Sequence, residues 1–342
     1  MSETIGPGKR ITLADVAREA GVSVQTASHV LAGNMTVRLP EATRLRVTEA
    51  AKKVGYRPNR LAQAMQGGKT RIISVWIPLD RLVPTYMRFL KAINAKAQES
   101  EYDLMVVGLD SSMAYAGEGR APNIWPVDGI ITVDAGKSIQ SFRADPQNDK
   151  TPVMVLGLED FSNSDAVSWD VAGGATSVTE RLIAQGCKRI VHVTLDWVMA
   201  NFPREQRRRG YTEAMVAAGL QPEFLEVTNE SRAATEAAVM DLLSRGPVPD
   251  AFFCFTDVLA IGTSRALLNK GVKIPDQCQV CGFGNYPDGE DYKVPLTTLQ
   301  VPIEAIVEQA WQWLLERIQN PDQERRLVLL PMIPVIRDSA RI

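Results

Sequence analysis

The sequence predicts two structural parts: a small all-helical domain, followed by a larger α/β domain with two lobes. Residues 1–71 show short helical patterns and carry twelve Lys and Arg against five Asp and Glu, a net charge of +7. From residue 72 onward, strand-like apolar runs alternate with helical patterns in two successive series. At 342 residues, the chain is also too long for one ordinary core.

The charge is distributed unevenly along the chain. The net charge of the whole chain is −2, so residues 72–342 carry −9. The basic N-terminal part (residues 1–71, the head) is followed by an acidic part (residues 72–342, the body). This distribution indicates that the head is a short module that binds a polyanion such as DNA. No apolar run reaches the about 18–20 residues that a membrane span needs, and residues 1–10 lack the apolar core of a secretory signal. We therefore expect a cytoplasmic protein.

The head begins with two short helices joined by a tight turn. Thr12 and Asp15 form a pattern like a capping box, and Gly21 ends the first helix. Ser23 is the N-cap of the second helix. Two helices with this spacing form a helix-turn-helix, in which the N-terminal end of the second helix meets base edges in the major groove.

A third helix is predicted from Pro40 to Val54, with Gly55 ending it. Its apolar residues can cover the first two helices: Leu45, Val47, Ala50, Ala51 and Val54.

A likeness to a known family begins with residues 11–23, which read ITLADVAREAGVS. The motifs TASHVL at 26–31, TRLRV at 43–47 and GYRPN at 55–59 continue it. Together they resemble the opening of the lactose-repressor (LacI/GalR) family, and a weaker resemblance extends over the rest of the chain. It implies a helix-turn-helix domain at 10–57, a hinge helix and linker at 58–71, and a periplasmic-binding-protein-like (type I) sensor at 72–342.

The resemblance implies which head residues meet DNA. Val24, Gln25 and His29 stand at base-reading positions, and a glutamine can pair with adenine through two hydrogen bonds. His29 stands where arginine is common, so the operator half-site is expected to differ there. The expected phosphate contacts are Ser23, Thr26, Ser28, Tyr56 and Asn59. Helix capping is the simpler reading of Ser23 and Thr26, and ordinary solvated side chains are the simpler reading of Gln25 and His29.

The hinge at 58–66 is too short to be stable as an isolated helix. In the family, this helix pairs across the dimer and inserts an apolar wedge into the minor groove. Met65 stands at the wedge position; a linker methionine without this role is the alternative.

The body shows two series of strands and helices, which predict two lobes at roughly 72–170 and 171–292 with the C-terminal part shared. Ligands of such folds bind at the carboxyl ends of parallel strands. The first series has strands at 72–77, 103–107, 129–133 and 153–156 and a helix at 85–99. The second has strands at 189–194, 224–227, 251–255 and 279–283 and helices at 172–185, 205–218, 232–244 and 258–269.

The resemblance also implies the effector site. Arg207 with Gly210 and Tyr211 matches the family's Arg-x-x-Gly-aromatic motif, in which the arginine reaches the effector. A solvated basic helix face is the alternative for this arginine. Where the family has an aspartate that accepts hydrogen bonds from sugar hydroxyls, this chain has Gly284. The loss of this acidic position while Arg207 is kept favours an anionic effector such as a sugar acid. The predicted effector residues are Asp80, Thr85, Tyr86, Arg207, Thr256 and Gly284.

The sequence thus predicts a homodimeric transcriptional regulator, interpreted as a repressor, with operator DNA and a sugar or sugar acid as partners. No cofactor, metal or catalytic residue is predicted. An α/β enzyme and a transport-type binding protein are the alternatives, but His192 lies in a strand-like run and is expected to pack rather than catalyse. The chain shows no heptad tail after Ser339, so a tetramer through a coiled coil is not expected.

Overall fold

The computed structural model describes residues 11–31, 39–56, 69–79, 83–110, 126–148, 150–157 and 164–342. The chain divides into two compact units, residues 1–70 and 71–342. The predicted division of the first unit into headpiece and hinge stays a prediction, because residues 57–68 are not among those described.

The described part of the first unit has three helices: α1 (Leu13–Ala20), α2 (Val24–Leu31) and α3 (Glu41–Val54). The Asp15 carboxylate accepts hydrogen bonds from the Thr12 N–H, over 2.9 Å, and from the Thr12 hydroxyl, over 2.7 Å. Gly21 and Gly55 end their helices in the left-handed region, with φ of 62° and 69°. The predicted starts and stops are therefore confirmed.

The core of this unit forms where the three helices meet. One predicted core residue, Leu45, is 60% exposed. Leu45 and Val47 are two positions apart, which amounts to about 200° around a helix and puts Leu45 on the opposite face. The buried residues of this core are Val16, Ala17, Ala20, Ala27, Val47, Ala50 and Ala51.

The second unit begins with strands and helices that belong to a first lobe. They are β1 (Ile72–Pro78), α4 (Pro84–Glu99), β2 (Asp103–Leu109), β3 (Gly129–Val133), α5 (Lys137–Arg143), β4 (Val153–Leu156) and β5 (Asp165–Asp170). All five residues of β3 and all four of β4 are buried, as expected for parallel strands covered on both faces.

A second lobe follows with the same alternation. It contains α6 (Val171–Ala184), β6 (Ile190–Leu195), α7 (Asp196–Asn201), α8 (Gln206–Ala217), β7 (Glu223–Val227), α9 (Arg232–Arg245), β8 (Ala251–Cys254), α10 (Asp257–Asn269), β9 (Gln279–Phe283), α11 (Pro287–Glu290) and β10 (Thr297–Gln300).

The chain then crosses between the lobes twice more. Helix α12 (Ile303–Gln319) leads to β11 (Leu327–Pro331), which pairs in parallel with β5 at the edge of the first sheet. Strand β12 (Ile333–Val335) pairs antiparallel with β10 in the second sheet. The strand orders are β11-β5-β4-β3-β1-β2 and β12-β10-β9-β8-β6-β7.

Apart from β12, all the paired strands of both sheets run parallel. The carboxyl ends of parallel strands form one edge of a sheet, where loops carry polar side chains. This edge is where the candidate ligand site lies. Among the described residues, no helix is long and apolar enough to cross a membrane.

Candidate DNA-reading helix and ligand cleft

Helix α2 presents its N-terminal end to solvent in the first unit. Ser23 caps this end: the Thr26 N–H donates to Ser23 Oγ over 3.1 Å, and the two hydroxyls are 2.8 Å apart. Val24 is 49% exposed and Gln25 is exposed beside it, whereas Ala27 is fully buried in the core. The exposed first turn of the second helix is the part that reaches base edges in helix-turn-helix proteins.

The other predicted DNA contacts are less exposed. Ser28 and His29 are half-buried on α2, and Tyr56 is half-buried where it packs against the core of the first unit. Asn59 and Met65 lie outside the described residues. Ser23 caps α2, and this structural role neither requires nor prevents a contact with a phosphate. The DNA contacts therefore remain predictions.

Basic side chains surround the three helices. Lys53 donates to Glu19 Oε1 over 2.6 Å, and Arg18 pairs with Asp15 at 3.3 Å. Exposed pairs of this kind contribute at most about 1 kcal/mol, so such side chains can exchange a carboxylate for a phosphate at little cost. The surface is therefore compatible with a polyanionic partner.

The second unit contains a cleft of about 490 Å³ at the carboxyl ends of the strands of both sheets. Residues that follow β1 and β3, together with Trp169 near the end of β5, line one side, and residues that follow β6, β7, β8 and β9 line the other. Five of the six predicted effector residues line this cleft: Thr85, Tyr86, Arg207, Thr256 and Gly284. Asp80 lies outside the described residues. That these residues bind a ligand stays a prediction.

Arg207 lies inside the cleft wall between two aromatic rings. Its guanidinium carbon is 4.2 Å from the centroid of the Phe255 ring and 4.0 Å from that of Phe283. Its Nη1 donates to Glu205 Oε1 over 2.8 Å, and the two charged side chains are only 15% and 11% exposed. Arg207 is therefore held in one orientation, and the alternative of a solvated basic face is wrong for this residue.

Glu205 is an ionised partner of this arginine. Burial alone would raise the pKa of Glu205, but the charge of Arg207 and the N–H of Arg208 hold it below its ordinary value. The Nε of Arg207 and the Oγ1 of Thr256 are buried without a hydrogen-bond partner among the described residues. A guanidinium can only donate, so a ligand that satisfies Nε must present an acceptor oxygen.

Gly284 adopts a backbone conformation that side chains rarely take, with φ of 128°. A Cβ at this position would lie 2.5 Å from Cε1 of Tyr286. Tyr286 follows in the same loop, is only 8% exposed, and lines the cleft. The tyrosine ring therefore occupies the space that a side chain at position 284 would need.

Asp257 supports this wall from behind the cleft. Its carboxylate is fully buried and accepts hydrogen bonds from the Tyr286 N–H and the Thr298 hydroxyl, both over 2.6 Å. Burial raises the pKa of Asp257 to about 6, and these hydrogen bonds oppose the rise.

Sequence reasoning missed several cleft residues. Asp134 directly follows β3 and accepts a hydrogen bond from the Tyr86 hydroxyl over 3.2 Å; the rule that sites lie after strand ends could have found it. Trp169 lies at the end of β5, a strand that was not predicted. Phe255, Phe283 and Tyr286 carry no local signal that separates a cleft residue from a core residue.

His192 packs as expected. Its Nδ1 is 2.9 Å from the Phe253 carbonyl oxygen, and its ring stacks on Tyr211 and Phe253. Burial lowers the pKa of His192 to about 4, so it is a neutral core residue at neutral pH. No group of three or more His, Cys, Asp or Glu within the described ranges could hold a metal ion.

Two protein-family models match the chain. The model for "Bacterial regulatory proteins, lacI family" matches residues 12–59, and the model for "Periplasmic binding protein-like domain" matches residues 179–340. The HTH-type transcriptional repressor PurR of Vibrio cholerae serotype O1 (strain M66-2) is 28% identical over 342 residues, which are 96% of this chain and 98% of the relative.

Solved structures of similar fold cover almost the whole chain. The Lac repressor dimer bound to operator and the anti-inducer ONPF has a TM-score of 0.79 at 23% identity, covering 97% of this chain and 99% of that one. The complex of the transcriptional regulator CelR with cellobiose has a TM-score of 0.63 at 22% identity, covering 97% and 100%.

The two family models match the unit that contains α2 and the unit that contains the cleft, in the same order as in a full-length relative that is a repressor. The enzyme alternative and the transport-type alternative are therefore wrong. Residues 12–59 match the lacI family of bacterial regulatory proteins and residues 179–340 match the periplasmic-binding-protein-like domain, and the chain is a DNA-binding transcriptional regulator controlled by a small molecule.

Proposed function

We propose that this regulator is a repressor that binds a pseudo-palindromic operator as a homodimer and is controlled by a sugar or sugar acid in its cleft. It acts in the cytoplasm, where its operator lies. The observation that carries the proposal is the combination, in one chain, of a capped, exposed helix end on α2 with a cleft in which the buried Nε of Arg207 has no acceptor among the described residues.

DNA recognition by α2 is assigned to Val24, Gln25 and His29, with the remaining predicted residues as phosphate contacts. One headpiece covers too few base pairs for specificity, and two-fold symmetry matches a palindromic site. The dimer would also pair the hinge helices at 58–66, whose Met65 is the proposed minor-groove wedge.

The chemistry of the cleft supports the proposed effector class. Arg207 needs an acceptor at Nε, which a carboxylate or another ligand oxygen supplies. The rings of Trp169 and Tyr86 on the opposite side offer apolar faces against which a sugar ring can pack. A relative of the same fold was solved with the sugar cellobiose, which supports a carbohydrate ligand.

The proposal is tested by selecting operator sequences from random duplexes with the full-length protein and then measuring affinity at fixed salt concentration. Replacing Gln25→Ala should weaken binding to the selected site by about 1–3 kcal/mol, which is roughly 5- to 150-fold, because a two-bond contact with a base is lost. The exposed Thr48→Ala change on α3 is the matched variant and should leave affinity within twofold.

A second readout separates reading of sequence from attraction of charge. The Gln25→Ala protein should bind random duplex as tightly as the wild type, because only the base contact is removed. Equal losses on selected and random DNA would refute base reading by Gln25. A wild type with no preferred duplex would refute the operator proposal as a whole.

A further inference from the structure

The loop after β9 places a tyrosine where a side chain of residue 284 would reach the cleft. The Tyr286 ring lies against Gly284, with Cε1, Cδ1 and Cζ at 2.5, 2.9 and 3.0 Å from the position of a Cβ. No real Cβ approaches a neighbouring carbon that closely, so residue 284 can carry a side chain only if the ring moves away. Position 284 therefore cannot supply an acidic ligand contact in this chain.

The position of the ring is set by backbone contacts on both sides. The Gly284 N–H donates to the Leu299 carbonyl over 2.7 Å, and the Tyr286 N–H donates to the buried Asp257 carboxylate over 2.6 Å. Between them, Asn285 donates from Nδ2 to Gln300 Oε1 over 2.6 Å. The loop is thus bonded to β10 and to the start of α10, which fixes where the ring can lie.

The phenol differs chemically from a carboxylate at the same place. Burial raises the pKa of Tyr286 to about 12, so its hydroxyl is neutral and can donate as well as accept. The cleft is already lined by the carboxylates of Asp134, Glu205 and Glu230. An added aspartate would increase this negative charge, whereas a neutral phenol adds none and so repels a negatively charged ligand less.

Tyr286 also stands close to the opposite lobe. Thr85, in the first turn of α4, lies beside the Tyr286 hydroxyl. A ligand that contacts Thr85 therefore comes close to the Tyr286 hydroxyl, which can donate a hydrogen bond where an aspartate carboxylate could only accept one.

We propose that Tyr286, made possible by Gly284, is the specificity-determining residue of the cleft, and that its hydroxyl donates to an acceptor oxygen of an acidic ligand. The proposal rests on the proposed control by a ligand in this cleft and names the ligand class: small hydroxy acids are favoured over the corresponding neutral sugars.

The geometric step is tested without a ligand, in a double-mutant cycle of the full-length protein. Gly284→Ala is made in the wild type and in Tyr286→Ala, and urea unfolding is followed by tryptophan fluorescence. The backbone strain at φ of 128° is present in both backgrounds and cancels, whereas the collision with the ring exists only in the first. The shift of the unfolding midpoint should therefore be clearly larger with Tyr286 present; equal shifts would overturn the proposal.

The specificity step is tested by calorimetry with D-gluconate, D-glucuronate and D-glucose, which share a carbon skeleton. The wild type should bind at least one acid and bind glucose at least tenfold more weakly. Tyr286→Phe keeps the ring and should weaken acid binding at least tenfold, while Tyr292→Phe, outside the cleft lining, should not. The double change Gly284→Asp with Tyr286→Ser should reverse the preference towards glucose.

Two results would overturn this assignment: a wild type that binds neither acid, or acid binding by Tyr286→Phe within twofold of the wild type. Neither result touches DNA reading by α2, which the operator selection tests separately. Failure of the ligand class and failure of the regulator are therefore distinguishable.

Discussion

Replacing Asp165→Asn is expected to lower the free energy of unfolding of the second unit by about 3–5 kcal/mol. The Asp165 carboxylate is fully buried at the start of β5 and binds two arginines: Arg317 at 2.8 Å and Arg326 at 3.1 Å. Its Oδ1 also accepts the Arg326 N–H over 2.8 Å. Removing the negative charge leaves the largely buried guanidinium of Arg317 without a carboxylate partner and leaves Arg326 paired with Glu316 alone, and an uncompensated buried charge is strongly destabilising.

The matched variant is Asp241→Asn, which removes an ion pair with Arg245 on the surface of α9. These side chains are 55% and 74% exposed, so the loss should stay below about 1 kcal/mol. All six tryptophans lie beyond residue 71, so fluorescence during urea unfolding reports on the second unit alone. Equal losses for the two variants would contradict the role assigned to Asp165.

The difference between wild type and Asp165→Asn should depend on pH. Burial alone would raise the pKa of Asp165, but the arginines and the Arg326 N–H hold it below its ordinary value of 3.8. A carboxylate whose pKa is lower in the folded state than in the unfolded state stabilises the folded protein. This stabilisation is complete at pH values above the unfolded-state pKa and is lost as the pH falls through the folded-state pKa. The difference should therefore be complete at pH 7 and shrink below about pH 4.

Replacing Arg207→Ala is expected to abolish ligand binding and to destabilise the second unit. Arg207 is held between two aromatic rings in the cleft wall, and the proposed charge-assisted pair with a ligand acid would be lost with it. The same change leaves the Glu205 carboxylate buried without its countercharge, which we expect to cost about 3–5 kcal/mol. Operator affinity without ligand should stay within about threefold, because the reading helix belongs to the other unit.

The two effects of Arg207→Ala separate in a double variant. Adding Glu205→Gln removes the buried charge, so most of the lost stability should return while ligand binding stays absent. Arg209→Ala serves for comparison, because the Arg209 side chain is 56% exposed and its ion pair with Glu213 is long, at 3.8 Å. Urea unfolding curves measure the stability, and calorimetry with D-gluconate, D-glucuronate and D-glucose measures ligand binding. A double variant that is no more stable than Arg207→Ala would rule out an uncompensated Glu205.

Local patterns were sufficient for elements whose signal lies within a few residues. The capping pair of Thr12 with Asp15 and the left-handed Gly21 and Gly55 mark helix ends directly, so α1 and α3 were predicted within one or two residues. Strands β3 and β4 are buried along their whole length, and their uninterrupted apolar runs predicted their bounds. Leu45 shows the limit of this approach, because an apolar residue need not lie on the buried face.

Long-range pairing was not visible in the sequence. Strand β5 reads DAVSWD, without a continuous apolar run, and β11 alternates between exposed and half-buried residues as an edge strand does. These two strands pair although about 160 residues separate them, as Leu327 opposite Ala166 shows. The crossover that completes the first sheet is therefore a property of the folded chain.

The candidate site also contains some residues that local sequence patterns predicted and others that only the folded structure brings together. Motifs and strand ends identified Thr85, Arg207 and Thr256 as cleft residues, because a residue that follows a parallel strand lies at the ligand edge of the sheet. The aromatic pair around Arg207, its bond to Glu205 and the ring that covers Gly284 depend on side chains from different strands and helices. Such contacts are set by packing across the lobes, so only the tertiary structure could show which chemistry this cleft offers a ligand.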